Sequence, residues 1–204
     1  MSARVVLATR NNHKVTELRR ILADVDVQVE LLGTGEFPGL PDVPETGSTF
    51  AANALLKARD VAQRTGLVAI ADDSGLCVDA LNGMPGIFSA RWAGTHGNDL
   101  ANLELVLAQL RDVPARKRTA AFHCAAAIAT PEGEERVVEG VLDGVLIDAP
   151  RGGNGFGYDP IFIPLGYQET TAEMTALQKD AISHRGIAFR ALAPVLAEVM
   201  SRRN

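Results

Sequence analysis

The sequence predicts one globular domain, or two lobes that share a core, in which β-strands and α-helices alternate. Its 204 residues are enough to bury a sizeable interior. A content of 47% hydrophobic and 22% charged residues is ordinary for a globular protein. The start of the chain shows this alternation. Residues 4–8 form an apolar run that is typical of a buried strand, and a polar loop follows them. After the loop, apolar residues have the spacing of one helix face: Val15, Leu18, Ile21 and Leu22.

The remaining elements continue this alternation. Residues 27–32 predict a second strand, and residues 33–44 predict an irregular loop because they are rich in proline and glycine. The later predicted elements are a helix over residues 100–110 and strands over residues 119–130 and 135–147, joined by a turn at residues 131–133.

A further helix is predicted between this loop and the next apolar run. Hydroxyl groups within residues 45–49 suit an N-cap, and Gly66 suits the end of the helix. Its apolar face consists of Phe50, Ala54, Ala58, Val61 and Ala62. Asn53 and Lys57 are four residues apart on a different face, so their side chains can reach the same object.

Charge and cysteine content exclude several classes of protein. A net charge of −5 argues against a protein that coats nucleic acid, and we expect the basic residues 116–118 to form a solvated loop. Cys77 and Cys124 lie in apolar runs and are expected to be core residues, not a disulfide. No signal peptide opens the chain, and no apolar segment approaches the ~20 residues of a membrane span. We therefore expect a cytoplasmic protein that binds neither nucleic acid nor membrane.

The most unusual stretch is residues 68–76. A short run of small and β-branched residues predicts a buried strand, which is expected to stop at Asp72, Asp73, Ser74 and Gly75. Two adjacent carboxylates repel each other unless a cation or a proton separates their charges. A magnesium ion shared with substrate phosphates would meet this need. A solvated turn is an equally good interpretation, since this sequence also suits a turn.

Two other stretches are candidates for binding an anion or a nucleoside. One is the polar loop before the first predicted helix, whose N-terminus favours an anion. The loop consists of Thr9, Arg10, Asn11, Asn12, His13 and Lys14. Taken alone, this loop is better interpreted as a helix cap with an exposed lysine. The other is the glycine-rich segment of residues 151–160, which contains Phe156 and Tyr158. The rings of these two residues are expected either to stack on a base or to lie in the core. Near the last helix, whose N-cap is predicted at Ser183, a positive cluster consists of Lys179, His184 and Arg185.

Taken together, these motifs resemble the inosine triphosphate pyrophosphatase family of non-canonical purine nucleoside triphosphate pyrophosphatases. The resemblance covers essentially the whole chain and rests on five motifs in order: Thr9-x-Asn11-x-x-Lys14, Glu45-Thr46-Gly47-x-Thr49-Phe50-x-x-Asn53-Ala54, Ala71-Asp72-Asp73-Ser74-Gly75-Leu76, Gly155-Phe156-Gly157-Tyr158-Asp159-Pro160 and Ser183-His184-Arg185-Gly186. It implies an α/β fold, with an elongated central mixed β-sheet, flanking helices and two lobes around a nucleotide cleft. It also implies a single domain over residues 1–204 and a homodimer.

The activity implied by this resemblance is Mg²⁺-dependent hydrolysis of ITP, dITP and XTP to the monophosphate and pyrophosphate, which cleanses the nucleotide pool. Asp73 would be the catalytic base, and Glu45, Asp72 and Asp73 would hold the metal. The implied substrate-binding residues are Thr9, Arg10, Asn11, Asn12, His13, Lys14, Lys57, Ser74, Phe156, Gly157, Tyr158, Asp159, Lys179, His184 and Arg185. This chain departs from some relatives at Pro44, where they carry an additional acid, so the number of metal ligands stays open.

The chemistry of the substrates fits such a site. Hypoxanthine and xanthine present an acceptor oxygen at C6, whereas adenine presents a donor amine there. Donors such as His184 and Arg185 would therefore favour hypoxanthine and xanthine over adenine. A polar site can discriminate by ~10⁴-fold against an analogue that leaves its groups unsatisfied. Guanine shares the C6 oxygen, and its exclusion cannot be assigned to a residue.

Three alternatives remain at this point. A Maf-type pyrophosphatase would act on dTTP and UTP, although residues 183–186 favour the purine enzyme. A nucleotide sensor would bind without hydrolysis, although a simple anion binder gains nothing from two adjacent aspartates. A structural module with an incidental acidic turn would not be stabilised by nucleotides.

Overall fold

The computed structural model describes residues 3–10, 12–23 and 29–203. The chain forms two compact units that are interleaved in sequence. The first unit comprises Met1–Asp73, Cys124–Gly140 and Arg185–Asn204, and the second comprises Ser74–His123 and Val141–His184.

The described residues form a mixed β-sheet and flanking helices. The strands are β1 (Ala3–Leu7), β2 (Val29–Gly33), β3 (Val68–Val78), β4 (Met84–Pro85), β5 (Thr119–Ala129), β6 (Glu135–Leu146) and β7 (Phe162–Pro164). The helices are α1 (Asn12–Ala23), α2 (Phe50–Thr65), α3 (Asp99–Gln109), α4 (Ala176–Ile182) and α5 (His184–Ser201). The strand order is β2-β1-β3-β5-β6-β7, and β4 pairs with β3. Because β1 pairs in parallel with β2 and β3 while β7 is antiparallel to β6, the predicted α/β class with a mixed sheet is confirmed.

In the first unit, β3 separates two hydrophobic clusters. Val68 and Ile70 belong to one cluster, which also contains Phe189 and other residues of α5. Ala69 and Ala71 belong to the other, which contains the alanines of α2. This assignment follows from the two-residue period of a strand, whose successive side chains point to opposite faces. The same alternation carries on to the two aspartates that follow.

The second unit has its own core, in which Leu76 and Val78 of β3 pack with apolar residues of α3, β5 and β7. Arg118 is buried at the end of α3. Its guanidinium donates to the carbonyl oxygens of Leu110 at 3.0 Å and Val113 at 2.8 Å. The prediction that residues 116–118 form a solvated loop is therefore wrong for Arg118, because its side chain is buried and donates to carbonyl oxygens that follow α3.

Several local predictions are confirmed. Thr49 caps α2 by accepting a hydrogen bond from the Ala52 N–H at 3.1 Å, and Gly66 ends the helix in the left-handed conformation. Both cysteines are free. The prediction of a core position is confirmed for Cys124, which is buried, but not for Cys77, which is half-buried. Among the described residues, no helix is both long and apolar enough to cross a membrane.

One predicted boundary is wrong, and one helix has no counterpart among the predictions. Strand β3 does not stop at the aspartates but continues through them to Val78, which also excludes the interpretation as a solvated turn. Helix α4 was not predicted at all. It is short, and Thr175 and Gln178 begin it with a capping box.

Candidate active site

Asp72 is held between two cations inside the first unit. Its Oδ2 accepts from Lys14 Nζ at 3.0 Å and from Arg185 Nε at 3.3 Å. Lys14 comes from α1 and Arg185 from the start of α5, so the carboxylate links both helices to β3. Burial alone would raise the pKa of Asp72, but Lys14 and Arg185 outweigh it and hold that pKa well below the usual range. Asp72 is therefore ionised at neutral pH.

Asp73 lies in a different environment, formed by α2. Its Oδ2 accepts from Asn53 Nδ2 at 3.1 Å, and its Oδ1 lies 3.4 Å from Lys57 Nζ. Burial raises the pKa of Asp73 above its usual range, and Lys57 offsets only part of that effect. A carboxylate with a raised pKa is a better proton acceptor than an ordinary aspartate, which suits a general base.

Lys57 connects Asp73 with the loop before α2. Its Nζ donates to Glu45 Oε1 at 2.8 Å while it contacts Asp73. Burial alone lowers the pKa of Lys57, but the surrounding carboxylates, Asp73 foremost, outweigh it and raise that pKa. Glu45 and Asp73 are thus two carboxylates that converge on one cation. The expectation that Asn53 and Lys57 reach the same object is confirmed, and that object is Asp73.

This arrangement bears on the predicted metal ligands. Among the described residues, no group of three or more His, Cys, Asp or Glu side chains is placed to share a metal ion. Glu45 and Asp73 nevertheless fit the oxygen-rich set that Mg²⁺ takes when it also binds phosphates and water. Asp72 does not join them, since it occupies the other face of β3 and pairs with Lys14 and Arg185. The role of Asp72 as a third metal ligand therefore stays a prediction, and its partners in this structure are Lys14 and Arg185.

In the second unit, Asp159 organises the glycine-rich loop. Its Oδ2 accepts from Lys179 Nζ at 2.6 Å and from the Phe156 N–H at 2.8 Å, and its Oδ1 accepts from Thr171 Oγ1 at 2.8 Å. Gly155 has a φ of +75°, and a Cβ there would collide with the Asp159 carboxylate. A glycine is needed at this position because the loop turns tightly around a buried acid.

The two aromatic residues of this loop differ in role. Tyr158 is buried in the second core, and its hydroxyl donates to the Ser89 carbonyl at 2.8 Å. Its ring is therefore not a platform for a base, and any substrate contact of Tyr158 would come from its backbone. Phe156 is half-buried, and Lys179 Nζ lies 5.1 Å from the centre of its ring. Its neighbour Gly157 donates its N–H to Asp99 Oδ2 at 2.9 Å.

The predicted nucleoside cluster of Lys179, His184 and Arg185 is divided between the two units. Lys179 pairs with Asp159 in the second unit, whereas Arg185 pairs with Asp72 in the first. His184 is buried in the second unit and stacks on Phe122, with ring centroids 4.8 Å apart and an interplanar angle of 12°. Each of these basic side chains thus has a local role in its own unit.

The polar loop after β1 is described only in part. The Thr9 carbonyl accepts from Thr34 Oγ1 at 3.0 Å, and the exposed Arg10 pairs with Asp42 at 3.1 Å and donates to the Leu40 carbonyl. Asn11 lies outside the described residues. Asn12 and His13 begin α1, but their side chains also lie outside the description, and Ser74 is a half-buried residue of β3.

Sequence reasoning did not choose Asn53 or Asp99 as site residues. The spacing of Asn53 and Lys57 predicts that they reach the same object, but it does not identify that object as Asp73. Asp99 could not be predicted, since its contact with Gly157 joins positions 58 residues apart and has no local signature.

Comparison with known proteins adds independent observations. The chain matches the model of the Ham1 family over residues 5–195. A dITP/XTP pyrophosphatase from Streptomyces coelicolor is 62% identical over 197 residues, which cover 97% of this chain and 98% of that protein.

Two solved structures are also similar. A nucleoside-triphosphatase, dITP/XTP pyrophosphatase, from Mycobacterium abscessus is 54% identical with a TM-score of 0.77, covering 94% of this chain and 99% of that one. A HAM1 protein from Coxiella burnetii is 43% identical with a TM-score of 0.86, covering 96% of this chain and 99% of that one.

Proposed function

Because this chain belongs to the Ham1 family, as its motifs predicted, we propose that it hydrolyses ITP, dITP and XTP to the monophosphate and pyrophosphate. Relatives in Streptomyces coelicolor and Mycobacterium abscessus that are more than half identical bear the name dITP/XTP pyrophosphatase. The structural observation that carries the proposal is the convergence of Glu45 and Asp73 on Lys57. Hydrolysis of a polyphosphate needs both a proton acceptor and positive charge, and this cluster supplies them together.

In the proposed mechanism Asp73 is the general base. Its carboxylate accepts a proton from a water molecule while the water oxygen attacks phosphorus and the bond to the pyrophosphate leaving group breaks. Asn53 and Lys57 each contact one oxygen of Asp73, so the carboxylate is held in one orientation.

Positive charge for the phosphates comes from the lysines and from a metal. We assign Mg²⁺ to Glu45 and Asp73, where it would neutralise charge on the phosphate oxygens and orient them. Lys14 lies in the first turn of α1, whose N-terminus favours an anion. Residues 9–14 are therefore proposed to bind the triphosphate, with Asp72 holding Lys14 in place.

The nucleoside is assigned by resemblance to the remaining residues. These are Ser74, residues 156–159, Lys179, His184 and Arg185. Phe156 supplies the half-buried aromatic ring that suits a base. His184 and Arg185 are proposed as donors to the C6 oxygen that hypoxanthine and xanthine share.

The proposed setting is a cytoplasmic homodimer. Two free cysteines suit a reducing compartment. The dimer is proposed from the family resemblance alone, and light scattering coupled to size-exclusion chromatography would measure it directly: twice the mass of the chain is expected, and a monomer would reject it.

A nucleotide panel tests the function. Pyrophosphate release is measured with Mg²⁺ and with EDTA for ITP, dITP, XTP, ATP, dTTP and UTP. The proposal predicts Mg²⁺-dependent release from the first three at rates well above those for the others. Strong release from dTTP and UTP with none from ITP would favour a Maf-type enzyme, and binding of ITP without turnover would favour a sensor.

A further inference from the structure

Asn53 closes a ring of hydrogen bonds around the two converging carboxylates. It is fully buried in α2, and its amide makes two contacts in opposite directions. Its Oδ1 accepts from the Gly47 N–H at 2.8 Å, and its Nδ2 donates to Asp73 Oδ2 at 3.1 Å. Lys57 continues the ring from Asp73 to Glu45, which precedes Gly47 by two residues.

The orientation of the Asn53 amide is fixed by this ring. A backbone N–H can only donate, so the atom that faces Gly47 must be the oxygen, and the nitrogen must face Asp73. Gly47 itself fits tightly against the start of α2, because a Cβ there would lie 2.7 Å from both Ala52 Cβ and Asn53 Oδ1. The loop that carries Glu45 is thus attached to the same side chain that holds Asp73.

The second unit contains an asparagine in an equivalent helix position that, unlike Asn53, does not donate to a carboxylate. Asn102 is the fourth residue of α3, as Asn53 is of α2, and it is 1% exposed. Its Oδ1 also accepts a backbone N–H from the preceding loop, that of Ala93, at 2.7 Å. Its Nδ2 is buried and has no hydrogen-bond partner among the described residues. Anchoring a loop therefore needs only the oxygen of such an asparagine.

We propose that Asn53 is a positioning residue that fixes Asp73 relative to Glu45 by holding the Asp73 carboxylate with its nitrogen and the Glu45 loop with its oxygen. Given the hydrolytic function proposed for Asp73, loss of the nitrogen donor should impair chemistry more than substrate binding. Partners that orient catalytic or metal-binding groups typically contribute on the order of 10- to 100-fold.

Three variants separate the two contacts. Asn53→Asp has the same shape and keeps an acceptor for Gly47 but loses the donor to Asp73, whereas Asn53→Ala loses both. Asn102→Ala is the control, because it removes a loop anchor of the same kind away from the proposed chemistry. For each variant, kcat and KM for ITP, the melting temperature and hydrogen exchange of the Gly47 amide by NMR are measured.

We expect kcat to fall on the order of 10- to 100-fold in both Asn53 variants, with KM changed less than about threefold. The Gly47 amide should stay protected in Asn53→Asp and lose protection in Asn53→Ala. Asn102→Ala should lower the melting temperature and leave kcat within about twofold of wild type.

A wild-type kcat in Asn53→Asp would overturn the proposal, whatever the kcat of Asn53→Ala. If only Asn53→Ala lost activity, anchoring of the Glu45 loop would explain that loss without the contact to Asp73. If Asn53→Ala does not fold, the isosteric Asn53→Asp decides alone. A wild-type protein that releases no pyrophosphate would reject the hydrolytic function itself, whereas an active wild type with an unimpaired Asn53→Asp rejects only the role of Asn53.

Discussion

Asp72 and Asp73 are consecutive in β3, yet they lie on opposite faces of the strand and form hydrogen bonds with different side chains. Asp72 pairs with Lys14 and Arg185, and its pKa is lowered; Asp73 contacts Asn53 and Lys57, and its pKa is raised. The two-residue period of the strand points the two side chains to opposite faces. Each carboxylate therefore has its own hydrogen-bond donors. One acid is thereby suited to hold a permanent charge and the other to accept a proton.

Asp72→Asn is expected to destabilise the protein. The change leaves Lys14 and Arg185 without their buried counter-charge, which should lower the free energy of unfolding by about 3 kcal/mol at pH 7. Because the pKa of Asp72 is lowered in the folded state, its contribution is fully present above its ordinary value of 3.8 and is lost as the pH falls below it. The difference between wild type and variant in urea unfolding should therefore be constant down to about pH 4 and shrink steadily as the pH falls further.

Asp60→Asn is the control for this experiment. Asp60 pairs with Arg64 on the exposed surface of α2, where such a pair contributes less than about 1 kcal/mol. Equal unfolding free energies for wild type and Asp72→Asn at pH 7 would contradict the structural role of Asp72.

Lys57→Met is expected to reduce turnover. The variant removes the cation on which Glu45 and Asp73 converge, so the two carboxylates repel each other and the attacking water loses an oriented base. We expect kcat/KM for ITP to fall on the order of 100-fold. Lys117→Met, which removes an exposed lysine, should retain wild-type turnover. Undiminished hydrolysis by Lys57→Met would mean that the cluster is not the site of chemistry.

Tyr158→Phe tests whether Tyr158 belongs to the core. Losing its hydroxyl leaves the buried Ser89 carbonyl without that donor, which should cost about 1 kcal/mol of unfolding free energy. KM for ITP should stay close to wild type, because the ring is not exposed to a base. Tyr167→Phe, at a half-exposed ring, should change neither quantity. A large rise in KM at unchanged stability would instead indicate that the Tyr158 hydroxyl contacts the nucleotide.

Much of the fold could be predicted because its signals are local. Thr49 and Gly66 mark the two ends of α2, and the apolar spacing between them is helical. The end of β3 could not be predicted from local signals. A buried strand can continue through two acids only where cations pair with them, and the cations that pair with Asp72 are Lys14 and Arg185, which are distant in sequence. Helix α4 was missed because its seven residues are too few for a clear period.

The candidate site shows the same limit. Glu45, Lys57 and Asp73 could be chosen from the sequence, and the structure brings them together. The separate contacts of Asp72 could not be predicted, because a strand expected to stop at the aspartates does not show the alternation of side chains that a continuing strand imposes. Arg185 and Lys179 are close along the chain, and their ion pairs with Asp72 and Asp159 could not be predicted because those acids are distant in sequence.

Pyrophosphate release from ITP by Asp73→Asn, with Mg²⁺ and alongside wild type, tests the central role of Asp73 most directly. We predict that kcat falls on the order of 10²- to 10⁴-fold. The melting temperature at neutral pH should equal or exceed that of wild type, because the raised pKa of Asp73 means that its ionised form costs folding free energy. Turnover of ITP by Asp73→Asn at the wild-type rate would contradict the account.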